Sequence, residues 1–278
     1  MRTHDSPPEP DSASPVALDP VLVARFRRQI ADKGVPISKT AVGEYLKCPA
    51  RWALKTIERQ GGGPVRQELR LGRACQKVVA EVLLGDKATG RETSVAEALQ
   101  AQGIATHMLP SATDWVLWAV DLTRQRHGCV VAVEQTVRAH PLAGVTLSGR
   151  FDLVISDGNL APLELLDWGF GRHPRFCRAE EMLVDVGTAI YRTLLAVSMP
   201  NLPDRVVISD VHVPGRQMLS VELARDDVLR AWRDIEAVRD GMRAVAELGQ
   251  VEAKPGHHCN WCSLQWRCPY SPASLGAA

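Results

Sequence analysis

From Leu147 to Gly171 the pattern of apolar and polar positions is that of extended chain on either side of a turn. Leu147, Gly149, Phe151 and Leu153 alternate with Ser148, Arg150, Asp152 and Val154; Asp157-Gly158-Asn159 supplies turn chemistry; and Leu163, Leu165 and Leu166 lead to Asp167. This predicts two strands joined by a tight turn. Cys129 to Val137 is β-branched and predicts a strand before them, and 206–213 with 218–223 predicts a hairpin around Pro214-Gly215. Most of the remaining chain repeats at helical spacing. Asp19 as N-cap, Pro20 at the first position and Gly34 as stop bound a helix carrying Val21, Leu22, Phe26 and Ile30. Ser38 caps a second helix with Val42, Tyr45 and Leu46, which Pro49 breaks or bends before Trp52 and Leu54. Apolar positions 71, 74, 75, 78, 79, 82 and 83 form a stripe ended by Gly85, and Ser94 to Glu97 is a capping box for a short helix. Further helices are predicted over 111–127, 179–198 and 226–248.

Composition narrows what these elements serve. Of 278 residues 45% are hydrophobic, enough for one large domain over 19–270. Residues 1–18 are rich in Pro, Ser and Asp and are expected to be a disordered tail, as 271–278 are expected to be a flexible one; Gly61-Gly62-Gly63-Pro64 is a loop. No apolar run approaches the roughly 18 to 20 residues of a membrane span and the N-terminus is not signal-like, so a cytoplasmic protein without membrane contact is expected. Thirty-three basic against 32 acidic residues exclude nucleic-acid binding through bulk charge. A polyanion contact must be local, and the basic stretches are 25–28, 66–73 and 172–178.

Two groups of residues carry chemistry. Asp152 and Asp167 reach facing positions at strand ends, where two carboxylates either are solvated or share a divalent cation. Cys259, Cys262 and Cys268 form C-x2-C-x5-C in a short polar segment, with Cys48 the obvious fourth thiol and His257 or His258 the alternative donor. Spacing leaves zinc and an iron–sulfur cluster both open. Cys75 and Cys129 read as small core residues, and His107, His140 and His212 as surface or loop residues.

Ser38, Tyr45, Leu46, Cys48, Pro49, Arg51 and Trp52 resemble the "S…YL.CP.R(F/W)" opening of RecB-like PD-(D/E)XK nucleases. The C-terminal cysteines resemble the triad that closes the [4Fe-4S] cluster of the four-cysteine branch, the AddB-type and CRISPR-associated exonucleases. This resemblance implies an α/β, restriction-endonuclease-like fold: a mixed central sheet flanked by helices, with a helical cap around the cluster. It makes Cys48, Cys259, Cys262 and Cys268 the ligands of a structural cluster that staples 38–55 to 256–270.

It also implies a nuclease centre, incompletely kept. Gly149-Arg150-Phe151-Asp152 matches the "G.(I/F)D" motif and Asp167 the acid of "(D/E)-x-K", so Asp152 and Asp167 would hold Mg²⁺ or Mn²⁺, with the Trp168 carbonyl completing the site. The family histidine is replaced by Gln76 and the lysine by Gly169. Tyr191 of the "Q…Y" helix motif remains, but Gly187 stands at its glutamine. A preorganised donor of this kind is worth about 10²- to 10³-fold in rate, so the implied protein binds DNA, as in DNA repair, with weak or lost catalysis beside a helicase or nuclease partner. The alternative is an active metal-dependent exonuclease or endonuclease in which a displaced basic residue such as Arg172 replaces the lysine.

Overall fold

The structure is a computed structural model that describes residues 15–59, 67–85, 92–126, 129–140, 144–156, 163–199 and 203–268. The turn expected at Asp157-Gly158-Asn159, the Gly61 to Pro64 loop, the tail up to residue 14 and the tail over 271–278 lie outside these residues. In chain order the elements are β1 (Val16–Ala17), α1 (Pro20–Lys33), β2 (Val35–Ile37), α2 (Lys39–Lys47), α3 (Pro49–Thr56), α4 (Gln67–Leu84), α5 (Glu92–Ala101) and α6 (Leu109–Arg124). They continue with β3 (Cys129–Ala139), β4 (Val145–Ser156), β5 (Leu163–Gly169), α7 (Ala179–Leu183), α8 (Val186–Ser198), β6 (Val206–His212), β7 (Gln217–Leu223), α9 (Leu229–Leu248) and β8 (Gln250–Val251). They divide into two compact units, a larger one from 36–39 and 64–237 and a smaller one from 1–35, 40–63 and 238–278.

The larger unit holds a mixed sheet. Its strands lie in the order β2, β4, β5, β6, β7, with β3 also paired to β4. β5 and β6 run parallel, while β3–β4, β4–β5 and β6–β7 are antiparallel. The predicted helical stripe is buried at Leu71, Cys75, Val78, Val79 and Val82 of α4. It shares a core with Val95 and Leu99 of α5, Val116 and Val120 of α6, and Leu153, Leu166, Trp168 and Val211 of the strands. Burying each such side chain is worth about 1.5–3 kcal/mol, which fixes α4, α5 and α6 on the sheet. The α/β architecture, a mixed central sheet flanked by helices, is the one expected.

One predicted helix is two. Asp185 interrupts 179–198, because its carboxylate accepts the Gly187 and Thr188 N–H groups and starts α8 afresh. An aspartate three residues after Met182 competes for backbone donors that a continuous helix would need. Gly149 of β4 allows α8 to approach closely, since a Cβ there would stand 2.6 Å from Leu194 Cδ1.

In the smaller unit Asp19 caps α1 by accepting from Val21 and Leu22 N–H, and Gly34 ends it at φ 75°. The buried side of α1 is Val23 and Phe26 rather than the expected Val21, which is 73% exposed. Order also begins earlier than the expected tail allows: Val16 pairs with Val251 across β1 and β8, and Leu18 is buried. Pro49 is the first residue of α3, so Cys48 falls between α2 and α3. Trp52 is fully buried, edge-on to Phe26 at 6.0 Å and to Tyr45 at 5.4 Å between ring centroids. No helix among the described residues is long and apolar enough to cross a membrane.

Candidate functional site

The β4–β5 register pairs Leu153 with Leu166, which carries Asp152 and Asp167 to facing positions one step further along. Both are buried. Asp152 Oδ2 accepts from the Trp168 backbone N–H at 2.8 Å and from Gln76 Nε2 at 3.3 Å, and Gln76 Nε2 also donates to the Trp168 carbonyl at 3.2 Å. Gln76 therefore stands where a ligand shared by Asp152 and the Trp168 carbonyl would be held. Turning its amide by half a rotation brings Oε1 to the same point, and Oε1 is the atom a cation needs. Arg150 reaches Gln76 Oε1 at 3.4 Å and Glu134 at 2.9 Å.

Asp167 is gripped from the other side. Tyr191 Oη donates to its Oδ1 at 3.1 Å, Arg175 Nη1 to its Oδ2 at 3.0 Å, and the Lys39 ammonium forms an ion pair with the same oxygen. Lys39 Nζ is also 3.4 Å from Tyr191 Oη. Arg175 is held in turn by Asp185, whose two oxygens lie 2.5 and 3.1 Å from Nη2. Arg172 is exposed and Arg175, three residues later, makes the contact with Asp167.

These neighbours separate the two acids electrostatically. Burial and the Asp167 charge push the Asp152 carboxyl well above the usual range, against the Trp168 N–H and Lys39. Burial also acts to raise Asp167, but the Lys39 and Arg175 charges outweigh it and hold that carboxyl below its ordinary value. Burial and the Asp167 and Asp152 charges push Tyr191 up, which keeps its hydroxyl neutral and donating. Asp210, the parallel-strand partner of Asp167 on β6, is a third acid in the group. Burial and the Asp167 charge push it up to about 6.

Gly187 makes the arrangement sterically open. A Cβ there would lie 2.7 Å from Arg175 Nη2, 2.9 Å from Lys39 Cγ and 3.0 Å from Asp185 Oδ1. The residue that departs from the glutamine motif is thus the one beside which both cations enter. At Gly169, where the lysine was sought, an added Cβ would meet the Val211 carbonyl at 3.5 Å and His212 Cα at 4.0 Å, both ordinary contacts.

The smaller unit contains a separate feature. Cys48, Cys259, Cys262 and Cys268 all line one cavity, together with Arg51, Leu54, His258 and Leu264. Cys48 is the N-cap of α3 and makes no side-chain cap bond; Cys259 lies in the 3-10 segment His257–Trp261, and Cys262 and Cys268 follow the two 3-10 segments of this region. His258 Nε2 is buried there with no hydrogen-bond partner among the described residues. Arg267 anchors the segment by donating to both oxygens of Glu58 at 3.1 Å, and Glu58 also accepts the Asp19 N–H at 2.8 Å. Four thiols around one cavity suit a four-ligand group, and the oxygens of Asp152, Asp167 and Trp168 suit Mg²⁺ or Mn²⁺. No group of three or more His, Cys, Asp or Glu side chains among the described residues is gathered as a site for a single ion.

Asp152, Asp167, Trp168, Gln76 and Tyr191 are therefore brought together as the motifs imply, whereas Lys39, Asp185 and Asp210 enter unannounced. Lys39 was adjacent to Ser38 of the opening motif and Arg175 lay inside the basic stretch 172–178, but neither position marks a partner 128 or 8 residues away. His212 is buried rather than a surface or loop residue, with Nε2 2.9 Å from the Gly171 carbonyl.

The sequence profile of the PD-(D/E)XK nuclease superfamily matches residues 36–269. No curated protein matches the chain. A candidate exonuclease from Eubacterium rectale is similar in structure at 9% identity and TM-score 0.49, covering 91% of this chain and 90% of its own. The protein SSO0001 is similar at 11% identity and TM-score 0.39, covering 90% and 95%. Both scores are too low to establish a shared fold, so kinship rests on the sequence profile.

Proposed function

The chain belongs to the PD-(D/E)XK nuclease superfamily, and on that premise we propose that it is a RecB-like, four-cysteine iron–sulfur member that binds DNA and hydrolyses its phosphodiester bonds slowly. The observation that carries the catalytic part is Lys39: the positive charge missing from Gly169 is supplied to Asp167 from the start of α2. Asp152, Asp167 and the Trp168 carbonyl would hold the divalent ion. When Mg²⁺ or Mn²⁺ is bound, the chemistry it supplies is Lewis acidity toward a phosphoryl oxygen. Lys39, fixed between Asp167 and Tyr191, presents a preorganised ammonium to the negative charge that develops on the phosphoryl group. Arg175, clamped by Asp185, adds a second cation on the same side. Gln76 has a neutral amide where the family has imidazole, which weakens metal affinity and makes turnover slow.

Cys48, Cys259, Cys262 and Cys268 would hold a [4Fe-4S] cluster, a structural staple between 38–55 and 256–270 of a single nuclease domain over 19–270. A second reading, a non-catalytic DNA-binding subunit beside a helicase or another nuclease, is favoured by Gln76, whose amide donor already satisfies Asp152 and the Trp168 carbonyl. The test is purification without oxygen, with iron and zinc counted, followed by cleavage of single- and double-stranded DNA in Mn²⁺. Brown protein that loses its iron in Cys48→Ser, and cleavage abolished by Asp167→Ala, are expected. One zinc per chain without iron would sink the cluster. DNA binding with no cleavage at any Mn²⁺ concentration would leave the second reading.

A further inference from the structure

On α8, Tyr191 turns to Asp167, while Arg192, Thr193 and Ala196, roughly 100–160° round the helix axis from it, line a cavity. The cavity holds about 710 Å³, is open to solvent, and is completed by Arg225 and by Trp232 and Arg233 of α9. Its wall carries three guanidinium groups against the one carboxylate of Glu236.

Arg192 is the informative member. It is only 4% exposed, and one Nη donates to the Asp204 carbonyl at 2.8 Å. Its Nε is buried with no hydrogen-bond partner among the described residues. An unmet buried guanidinium donor is destabilising, so its presence in a helix otherwise packed with Ile190, Leu194 and Leu195 asks for a ligand. Burial and the Arg225 charge act to lower its pKa against Asp204, so the two guanidinium groups repel until an anion lies between them. Trp232 is half-buried and packs on Ala189, Val228 and Ala231, which fixes an indole at the same wall.

Arginines beside a fixed aromatic ring are the pairing that takes phosphate and base together. We propose that this cavity is a nucleoside-phosphate site that holds a single nucleic-acid strand, phosphate on Arg192, Arg225 and Arg233 and base on Trp232. At about 710 Å³ the cavity lies within the roughly 300–1,000 Å³ that takes one small ligand, the size of a single nucleotide unit, and the DNA-binding reading makes that unit part of a strand. The proposal rests on the DNA-binding reading above and adds to it a contact on a different face of α8 from the one that meets the carboxylates.

The test is fluorescence anisotropy of the full chain with a labelled single-stranded oligonucleotide in EDTA, across a salt series, so that cleavage plays no part. Arg225 and Arg233 are exposed, and Arg225→Gln with Arg233→Gln should leave the fold intact by circular dichroism. The double variant is expected to bind about tenfold more weakly, with its salt slope reduced by about 1.4, two contacts at roughly 0.7 each. Trp232→Leu is expected to lose about 5- to 100-fold with the slope unchanged. If the unaltered chain binds DNA and the variants bind equally well with the same slope, this site is wrong and the DNA-binding reading stands. If the unaltered chain binds no DNA, both fall. Saturation by thymidine monophosphate that the double variant loses, without any change in strand binding, would assign the cavity to a free nucleotide and overturn the strand.

Discussion

Replacing Gly187 by alanine adds one carbon beside both cations of the carboxylate group. That Cβ would sit 2.7 Å from Arg175 Nη2 and 2.9 Å from Lys39 Cγ, closer than packed atoms approach, so both must move. Arg175 can swing its terminal nitrogen away, at the cost of loosening the bonds that Nη2 makes to Asp185. Lys39 cannot, because the collision is with the middle of its stem, and a changed rotamer withdraws Nζ from Asp167. Overpacking costs about 1–3 kcal/mol, and replacing glycine near a helix start returns a fraction of the roughly 1 kcal/mol propensity difference. The expected net is about 1–2 kcal/mol of lost stability. The rate suffers more, by about 10²- to 10³-fold, because a preorganised charge is lost from the reacting region. Thermal unfolding and kcat for Mn²⁺-dependent DNA cleavage measure the two separately. Lys39→Ala should lower kcat to a similar extent, and Gly187→Ala added to it should cost little more, since the two changes remove one interaction. Unchanged kcat in Gly187→Ala, with the added methyl accommodated, would refute the coupling of Gly187 to Lys39.

Gly169→Lys should restore part of the activity of Lys39→Ala, because its Cβ meets only ordinary contacts; no recovery in kcat would mean that a lysine on β5 cannot reach the same charge. Arg267→Met removes the partner of Glu58, whose side chain is 1% exposed, and should cost about 2–3 kcal/mol in urea unfolding, discounted because Arg267 is itself 35% exposed. Asp210, raised from 3.8 to about 6, favours the folded state most below pH 3.8 and loses that contribution as pH rises through 6. In EDTA, Asp210→Asn should therefore gain about 1–2 kcal/mol over the unaltered chain above pH 6, after allowance for solvent screening, and nothing near pH 4.

Local signals sufficed wherever one short-range interaction decides the outcome. Asp19, Pro20 and Gly34 bound α1 because cap, fixed φ and positive φ act within one turn. The runs 147–154 and 163–167 were legible as strands because short apolar runs flank a turn signal, and their antiparallel pairing brings Asp152 and Asp167 to facing positions. Cys48 and the C-terminal cysteines were legible as a group because thiols are rarely crowded into polar segments. The tertiary structure alone decided the rest. Whether Asp185 would cap a new helix or ride within a long one depended on what α8 packs against, as propensity is a weak prior beside burial. The cation at Asp167 is the sharpest case: Lys39 lies 128 residues away in the chain, and a point charge on a flexible stem has no spacing rule that ties it to a partner on another element. Only the closing of the sheet against α8, with Gly187 leaving the space open, brings Lys39 and Arg175 to the carboxylate.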